Sequence, residues 1–192
     1  MCSLGKKEVR KLKKDAESLY ESVVQESIKI EDAPLYSCAF TGHRAIKPEH
    51  EKLLAERLAR AVEYAYSRGC RVFYCGGALG FDTMAAREVI RFSFTRRDVV
   101  LRLVLPCQNQ DELWTERQRE SYFYILQNAE SVEYISNEYT PECMKKRNLR
   151  LAELCDVLIA YLYRSGSGSS QTVRLAKKLG KEVYNISPSG EI

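Results

Sequence analysis

The sequence predicts an α/β fold: a doubly wound, mainly parallel sheet with helices on both faces, preceded by an N-terminal helix. Three observations predict it. Short β-friendly runs alternate with amphipathic helical patterns from residue 36 onwards, the pattern of a parallel sheet built from strand–helix–strand units. The run Val157 to Leu162 is apolar throughout, as in strands covered on both faces. Two small-residue turns, Cys75 to Asp82 and Ser165 to Thr172, each join a strand pattern to a helical one.

The chain has 192 residues, enough for one domain and an appendage. Residues 1–33 form the appendage and residues 34–192 the domain. Val9, Leu12, Ala16, Leu19 and Val23 recur at steps of three and four, a helical seam of under three heptads. Lys6, Lys7, Arg10 and Lys11 precede Glu17, Glu21 and Glu26. Acids following so closely argue against a basic arm for nucleic acid. The seam is open to a homodimer contact, or to lying on the domain. Pro34 ends it.

Tyr36 to Phe40 is the first strand, followed at once by Thr41-Gly42-His43-Arg44. Pro48 opens a helix whose Leu54, Leu58, Ala61 and Ala65 share a face, and Gly69 closes it. Cys70 to Cys75 is the second strand, the glycine turn follows, and a helix covers Thr83 to Ile90. Val99 to Leu105 is the third strand, stopped by Pro106. A long amphipathic helix is expected from about Asn109 to Gln127, with Trp114 on it. Ser131 to Ile135 is the fourth strand. Thr140-Pro141-Glu142 reads as a helix start: N-cap, proline at the first position, acid in the first turn. Val157 to Leu162 is the fifth strand; a helix to Leu179, a stop at Gly180 and a strand Glu182 to Ile186 finish the domain.

Composition narrows the function classes. No run of about 18 apolar residues occurs, so no membrane span is expected, and the basic start lacks the apolar stretch of a secretory signal. Seven cysteines is an odd number, and none forms a Cys-x-x-Cys pair. That suits a reducing, cytoplasmic setting and argues against a disulfide framework or zinc site. With only His43 and His50 to add imidazole, neither a metal nor a cofactor is expected. The net charge of +4 permits an anionic ligand without demanding nucleic acid.

Crossovers are right-handed, so the loops leaving the strands share one edge of the sheet, where ligands bind at the switch point. The loops at 41–44, 75–82, 106–109 and 164–172 should therefore face one crevice. Gly76, Gly77 and Gly80 let a ligand approach backbone amides at a helix start; the alternative is a tight turn with no ligand. Gly166, Gly168, Ser169 and Ser170 supply a second set of amides, with hydroxyls. Gly42 leaves the first strand end open, and Arg44 can fork onto a phosphate or carboxylate. His43 either meets a ligand or caps a helix. Asp82 either serves its helix dipole or accepts from ribose hydroxyls. Arg147 and Asn148 lie mid-helix and matter only if that helix faces the crevice. Trp114 fits packing better than base stacking. The expected anion position is between the amides of Gly76–Gly80 and those of Gly168–Ser170.

Thr41-Gly42-His43-Arg44, the run Gly76 to Asp82, Pro106-Cys107 with Trp114 downstream, Cys143-Met144 with Arg147-Asn148, and Asp156 before a buried strand together resemble the YpsA-like branch of the SLOG superfamily. The resemblance covers about residues 36–188. It implies a Rossmann-like domain that senses or processes a nucleotide-derived ligand, such as a nucleoside phosphate or an ADP-ribose-like molecule. Relatives in the superfamily include DNA-processing protein A and the LOG phosphoribohydrolases, which release a base from a nucleoside monophosphate. LOG enzymes carry Pro-Gly-Gly-x-Gly-Thr followed by a catalytic Glu, whereas this chain reads Ser165-Gly166-Ser167-Gly168-Ser169-Ser170-Gln171-Thr172. It also lacks the Gly-Gly-Thr usual in the YpsA-like branch. Asp82 and Glu153 are the motif-linked acids left for N-glycosidic cleavage, which needs a placed carboxyl. Binding is thus the first expectation, N-glycosidase activity the alternative, and single-stranded DNA binding the weakest of the three.

Overall fold

The computed structural model describes residues 36–189. The N-terminal helical seam and the boundary at Pro34 lie outside them. The strands are β1 (Tyr36–Gly42), β2 (Cys70–Cys75), β3 (Val100–Leu105), β4 (Ser131–Tyr134), β5 (Val157–Tyr161) and β6 (Glu182–Asn185). They form one sheet in the order β4-β3-β2-β1-β5-β6, and every pairing is parallel. The chain steps outward from β1 to β4, then returns to lay β5 on the other side of β1.

That return divides the helices. Residues of α1 (Glu51–Ser67), α2 (Phe81–Ser93) and α3 (Glu116–Asn128) share one core with Phe40, Phe73, Leu103 and Ile159. Residues of α4 (Cys143–Leu154) and α5 (Gly168–Lys178) share a second with Ala39, Val104 and Leu158. Period-two alternation makes both: Cys38 and Phe40 face the first layer, Ala39 the second. Phe40 stacks on Phe73 at 6.1 Å and meets the edge of Phe81 at 6.5 Å. Burying each such ring contributes roughly 1.5–3 kcal/mol. All of β5 is buried. Six cysteines, Cys38, Cys70, Cys75, Cys107, Cys143 and Cys155, are buried free thiols.

Polar contacts fix the register of the central pair. Asp156 accepts from the Ser37 amide at 2.9 Å and its hydroxyl at 3.0 Å, locking the starts of β1 and β5 together. The pairing then runs Thr41 to Ala160 and Gly42 to Tyr161, so the two strands end level. His50, buried, meets the Tyr161 hydroxyl at 2.9 Å.

Four helix starts differ from the sequence expectation. Pro48 opens a single 3-10 turn, Pro48–His50, and α1 proper begins at Glu51. The helix expected from Asn109 begins at Glu116, because Thr115 caps it: the Thr115 hydroxyl accepts from the Gln118 amide at 3.4 Å, and Gln118 Oε1 accepts from the Thr115 amide at 2.9 Å. That reciprocal box fixes where helical φ/ψ begins, and residues 108–113 form turns. The helix expected at Pro141 starts at Cys143, although the Thr140 hydroxyl still accepts its amide at 3.1 Å. α2 starts at Phe81, two residues before Thr83, and runs past Ile90 to Ser93. No helix among the described residues is long and apolar enough to cross a membrane.

Candidate functional site

After β1 the chain turns to α1 on one face; after β5 it turns to α5 on the other. The two strand ends diverge there and leave a cleft at the switch point. It is a cavity of about 390 Å³. Thr41 to Ala45 form one wall, Ala78 and Asp82 another; α4 gives Met144, Arg147 and Asn148, and the segment after β5 gives Arg164 and Ser167 to Ser169.

The structure brings Gly42, His43, Arg44, Asp82, Arg147, Asn148, Gly168 and Ser169 to this cavity. The His43 amide donates to the Tyr161 carbonyl at 3.2 Å, and the His43 carbonyl accepts from the Phe81 amide at 3.2 Å. These bonds hold the ring against Tyr163, 4.2 Å between centroids. The His43 side chain is buried, and its Nε2 has no hydrogen-bond partner. Burial, and secondarily the charge of Arg164, lowers its pKa. The Ser169 hydroxyl donates to the Gly42 carbonyl at 2.6 Å, and Asn148 donates to the Gly168 carbonyl at 3.4 Å. A Cβ on Gly42 would overlap the Phe81 ring, so the strand end and α2 approach closely.

Asp82 and Arg147 make the floor. Both are buried, with Arg147 Nη1 3.2 Å from Asp82 Oδ2. The same oxygen accepts the Ala78 amide at 3.3 Å. Burial raises the Asp82 pKa, opposed by Arg147 and then by that amide. The Nε of Arg147 has no hydrogen-bond partner.

The glycine turn plays a different part from the one expected. Gly76, Gly77 and Gly80 do not line the cavity. The Ala78 amide is taken by Asp82 and the Phe81 amide by His43. Gly76 makes room for the Arg147 guanidinium, which a Cβ would overlap. Gly77, at φ 62°, packs on Leu105 and gives its carbonyl to Gln110 at 3.2 Å. Gly80, at φ 76°, lies against the Arg44 backbone. The side of the cavity expected to offer glycine amides to an anion is thus lined by Arg147 and Asp82 instead.

On the other side, Ser167 and Ser170 form a reciprocal capping box, which occupies the Ser170 amide and hydroxyl. The first amides of α5, Gly168 and Ser169, have no intrahelical acceptor and stand in the cavity wall. Gly166, at φ 76°, is a turn residue outside the wall. Pro106 to Asn109 and the exposed Glu153 also lie outside it. Trp114 packs edge-on against Tyr122 at 5.3 Å, as core rather than as a stacking platform.

Charge completes the site. α1, α2 and α3 carry Glu51, Asp82 and Glu116 in their first turns. α4 and α5, the two helices on the cavity's other face, carry no acid there. Glu142 stands at the N-cap of α4, whereas the positive dipole end of α5, capped by Ser167, is left without an internal counter-charge. Arg44, Arg147 and Arg164 face a single carboxylate, Asp82. Sequence reasoning gave no individual role to Arg164, Thr41, Ser167 or Met144, although the first three lie in loops expected to face the crevice. For Arg164 the signal was present: a cation at the carboxyl end of the central strand. A larger groove, about 1020 Å³, lies over the outer side of α2 and shares Arg44 and Ala45 with the cavity; neither His43 nor Arg147 lines it.

The YspA SLOG family profile (YpsA) matches residues 39–187. A UPF0398 protein of Bacillus thuringiensis (strain Al Hakam) is 31% identical over 137 residues, 70% of this chain and 72% of that protein. A second UPF0398 protein, from Bacillus cereus (strain G9842), is 32% identical over 138 residues with the same coverage. Among solved structures, DNA processing protein A from Helicobacter pylori, described for its single-stranded DNA binding mode, superposes with a TM-score of 0.57 at 24% identity, covering 78% of this chain and 64% of that one. DNA processing protein A from Streptococcus pneumoniae gives 0.56 at 19%, covering 78% and 49%. This chain thus spans less than two thirds of either structure, and the likeness is one of fold.

Proposed function

This chain belongs to the YpsA SLOG family, and from that premise we propose that its switch-point cavity binds a nucleotide-derived ligand through a phosphate. One observation carries the reading: His43 Nε2 and Arg147 Nε, two buried polar atoms without partners, belong to walls that also hold the open start of α5. A buried polar atom left unpaired costs about 1–3 kcal/mol. An anion at this point would supply acceptors for Arg147, for the Gly168 and Ser169 amides and for a protonated His43. Arg44 and Arg164, exposed at the rim, would add charge-assisted bonds. A cavity of about 390 Å³ is in the range of small-ligand sites. Asp82 stands beside this position, where it suits a ribose hydroxyl better than a second phosphate.

The test is thermal stabilisation of the full chain by AMP, ADP-ribose, NAD and adenosine. Phosphorylated ligands should raise the melting temperature and adenosine should not. No shift with any of them at millimolar concentration removes the reading.

N-glycosidic cleavage is the second reading, and Asp82 is what favours it. Its burial-raised pKa lets it hold a proton further up the pH scale. It is also the single carboxylate in the wall and is engaged by Arg147, where hydrolysis calls for a carboxyl with free reach. Chromatography of an AMP incubation decides: free adenine establishes turnover, and bound but intact AMP leaves binding alone. A single-stranded DNA ligand, as for the Helicobacter structure, would show as a gel shift that weakens steeply with salt.

A further inference from the structure

A second concavity adjoins the first. It lies between α4 and α5, holds about 470 Å³, and shares Asn148 with the cavity. Leu149 and Leu175 contribute its apolar lining; Lys145, Lys146, Arg174 and Lys178 contribute its charge, and no carboxylate lines it. All four cations are exposed, and none takes part in a salt bridge among the described residues.

Ordinary surface placement does not account for this set. Lys145 and Lys146 stand in the first turn of α4, directly before Arg147. The helix dipole disfavours cations there, and Glu142 at the N-cap forms a salt bridge with neither. Arg174 and Lys178 are four residues apart on α5, a like-charge spacing that weakens a helix. Lys178 lies in the last turn, where the dipole welcomes it; that explains one of the four. Several other cations of this fold are matched, Arg68 with Glu182, Arg102 with Glu130 and Arg150 with Glu133, whereas none of these four is. The groove concentrates unmatched positive charge where the cavity opens.

We propose that this groove is the outer half of the ligand site, and that the ligand is a nucleoside polyphosphate. Resting on the phosphate reading of the cavity, one phosphate sits at the start of α5. The rest of the phosphate chain passes Asn148 and lies between Lys145 and Lys146 on α4 and Arg174 and Lys178 on α5. Each further phosphate then meets cations that form no salt bridge among the described residues.

The experiment titrates the full chain calorimetrically with AMP, ADP, ATP and inorganic tripolyphosphate. It is repeated with a Lys146→Gln/Arg174→Gln/Lys178→Gln variant, whose altered side chains are all exposed. The wild type should bind ATP at least tenfold more tightly than AMP, and tripolyphosphate should compete with ATP. The variant should lose that gain, show a shallower salt dependence, and bind AMP as before. Equal affinity for AMP and ATP in the wild type, or a variant that keeps the full gain, overturns the proposal and leaves the cavity reading standing. Failure of both ATP and tripolyphosphate to bind overturns it whatever AMP does; failure of AMP as well removes the cavity reading too. A single-stranded oligonucleotide that displaces ATP and binds more tightly would overturn it in favour of nucleic acid.

Discussion

Arg147 reaches Asp82 across the bare backbone of Gly76, with Nη1 3.2 Å from Oδ2. A Cβ at position 76 would overlap that nitrogen and come within 2.7 Å of the carboxylate oxygen. The glycine is therefore the complement of a buried ion pair. Gly76 is not among the glycines with positive φ, so an alanine there meets its cost through contact alone. Gly76→Ala should destabilise by roughly 1–3 kcal/mol, as overpacking does. In an Arg147→Ala background the same change should cost less, and urea melts of the double-mutant cycle measure the difference. Equal cost in both backgrounds would show that Gly76 does not serve Arg147.

Asp82→Asn keeps the shape and removes the counter-charge. It leaves the Arg147 guanidinium buried and uncompensated, which costs about 3–5 kcal/mol. Sulfate should recover more stability in the variant than in the wild type, since an anion then replaces the missing charge. A variant as stable as the wild type in urea, with no added response to sulfate, would contradict the role given to the pair.

His43 makes a prediction about pH. Burial, then Arg164, holds its folded pKa below the ordinary value of 6.5. The unfolded chain therefore takes up the proton first as pH falls. This contribution to stability is complete above pH 6.5 and is lost as pH drops through 6.5 towards the lowered folded value. An anion opposite Nε2 favours imidazolium, so binding takes up a proton. Sulfate affinity should then rise as pH falls from about 8 to about 5, and His43→Gln should flatten the profile. An unchanged profile in the variant would place the anion elsewhere.

Arg44 and Arg164 are exposed at the rim, so neither holds the fold. Each alanine variant should change stability by under about 0.5 kcal/mol. Each should weaken phosphate-ligand affinity by roughly tenfold, or about 1.4 kcal/mol. Calorimetric titration checks the second figure, and a rim variant with wild-type affinity would exclude that arginine from the site.

The order of strands and helices was legible because periodicity is a local property. The run Val157 to Leu162 announced a strand covered on both faces, and β5 is buried throughout. The Ser167–Ser170 stretch announced a helix start, and it is a capping box. The start of α3 was legible too, as Thr115 followed three residues later by Gln118, but the apolar periodicity around Trp114 outweighed it. What could not be read was the part of the glycine turn in the site. Gly76 and Arg147 are 71 positions apart in sequence, and only the return crossing from β4 to β5 stacks one on the other. A glycine that admits a ligand and one that admits a guanidinium look alike in one sequence. The cation at Arg164 was visible, yet its meaning depended on knowing that β5 lies beside β1.

The buried thiols give the domain an internal clock for opening. Desolvation lifts Cys70 to about 11 and Cys155 to about 12, and raises Cys38, Cys75 and Cys107. A thiol so protonated hardly reacts with alkylating reagents while it is shielded. The six sulfurs are spread over β1, both ends of β2, the exit of β3, the start of α4 and the approach to β5. Timed alkylation followed by peptide mass mapping would thus show which layer breathes first, without any label having to be installed.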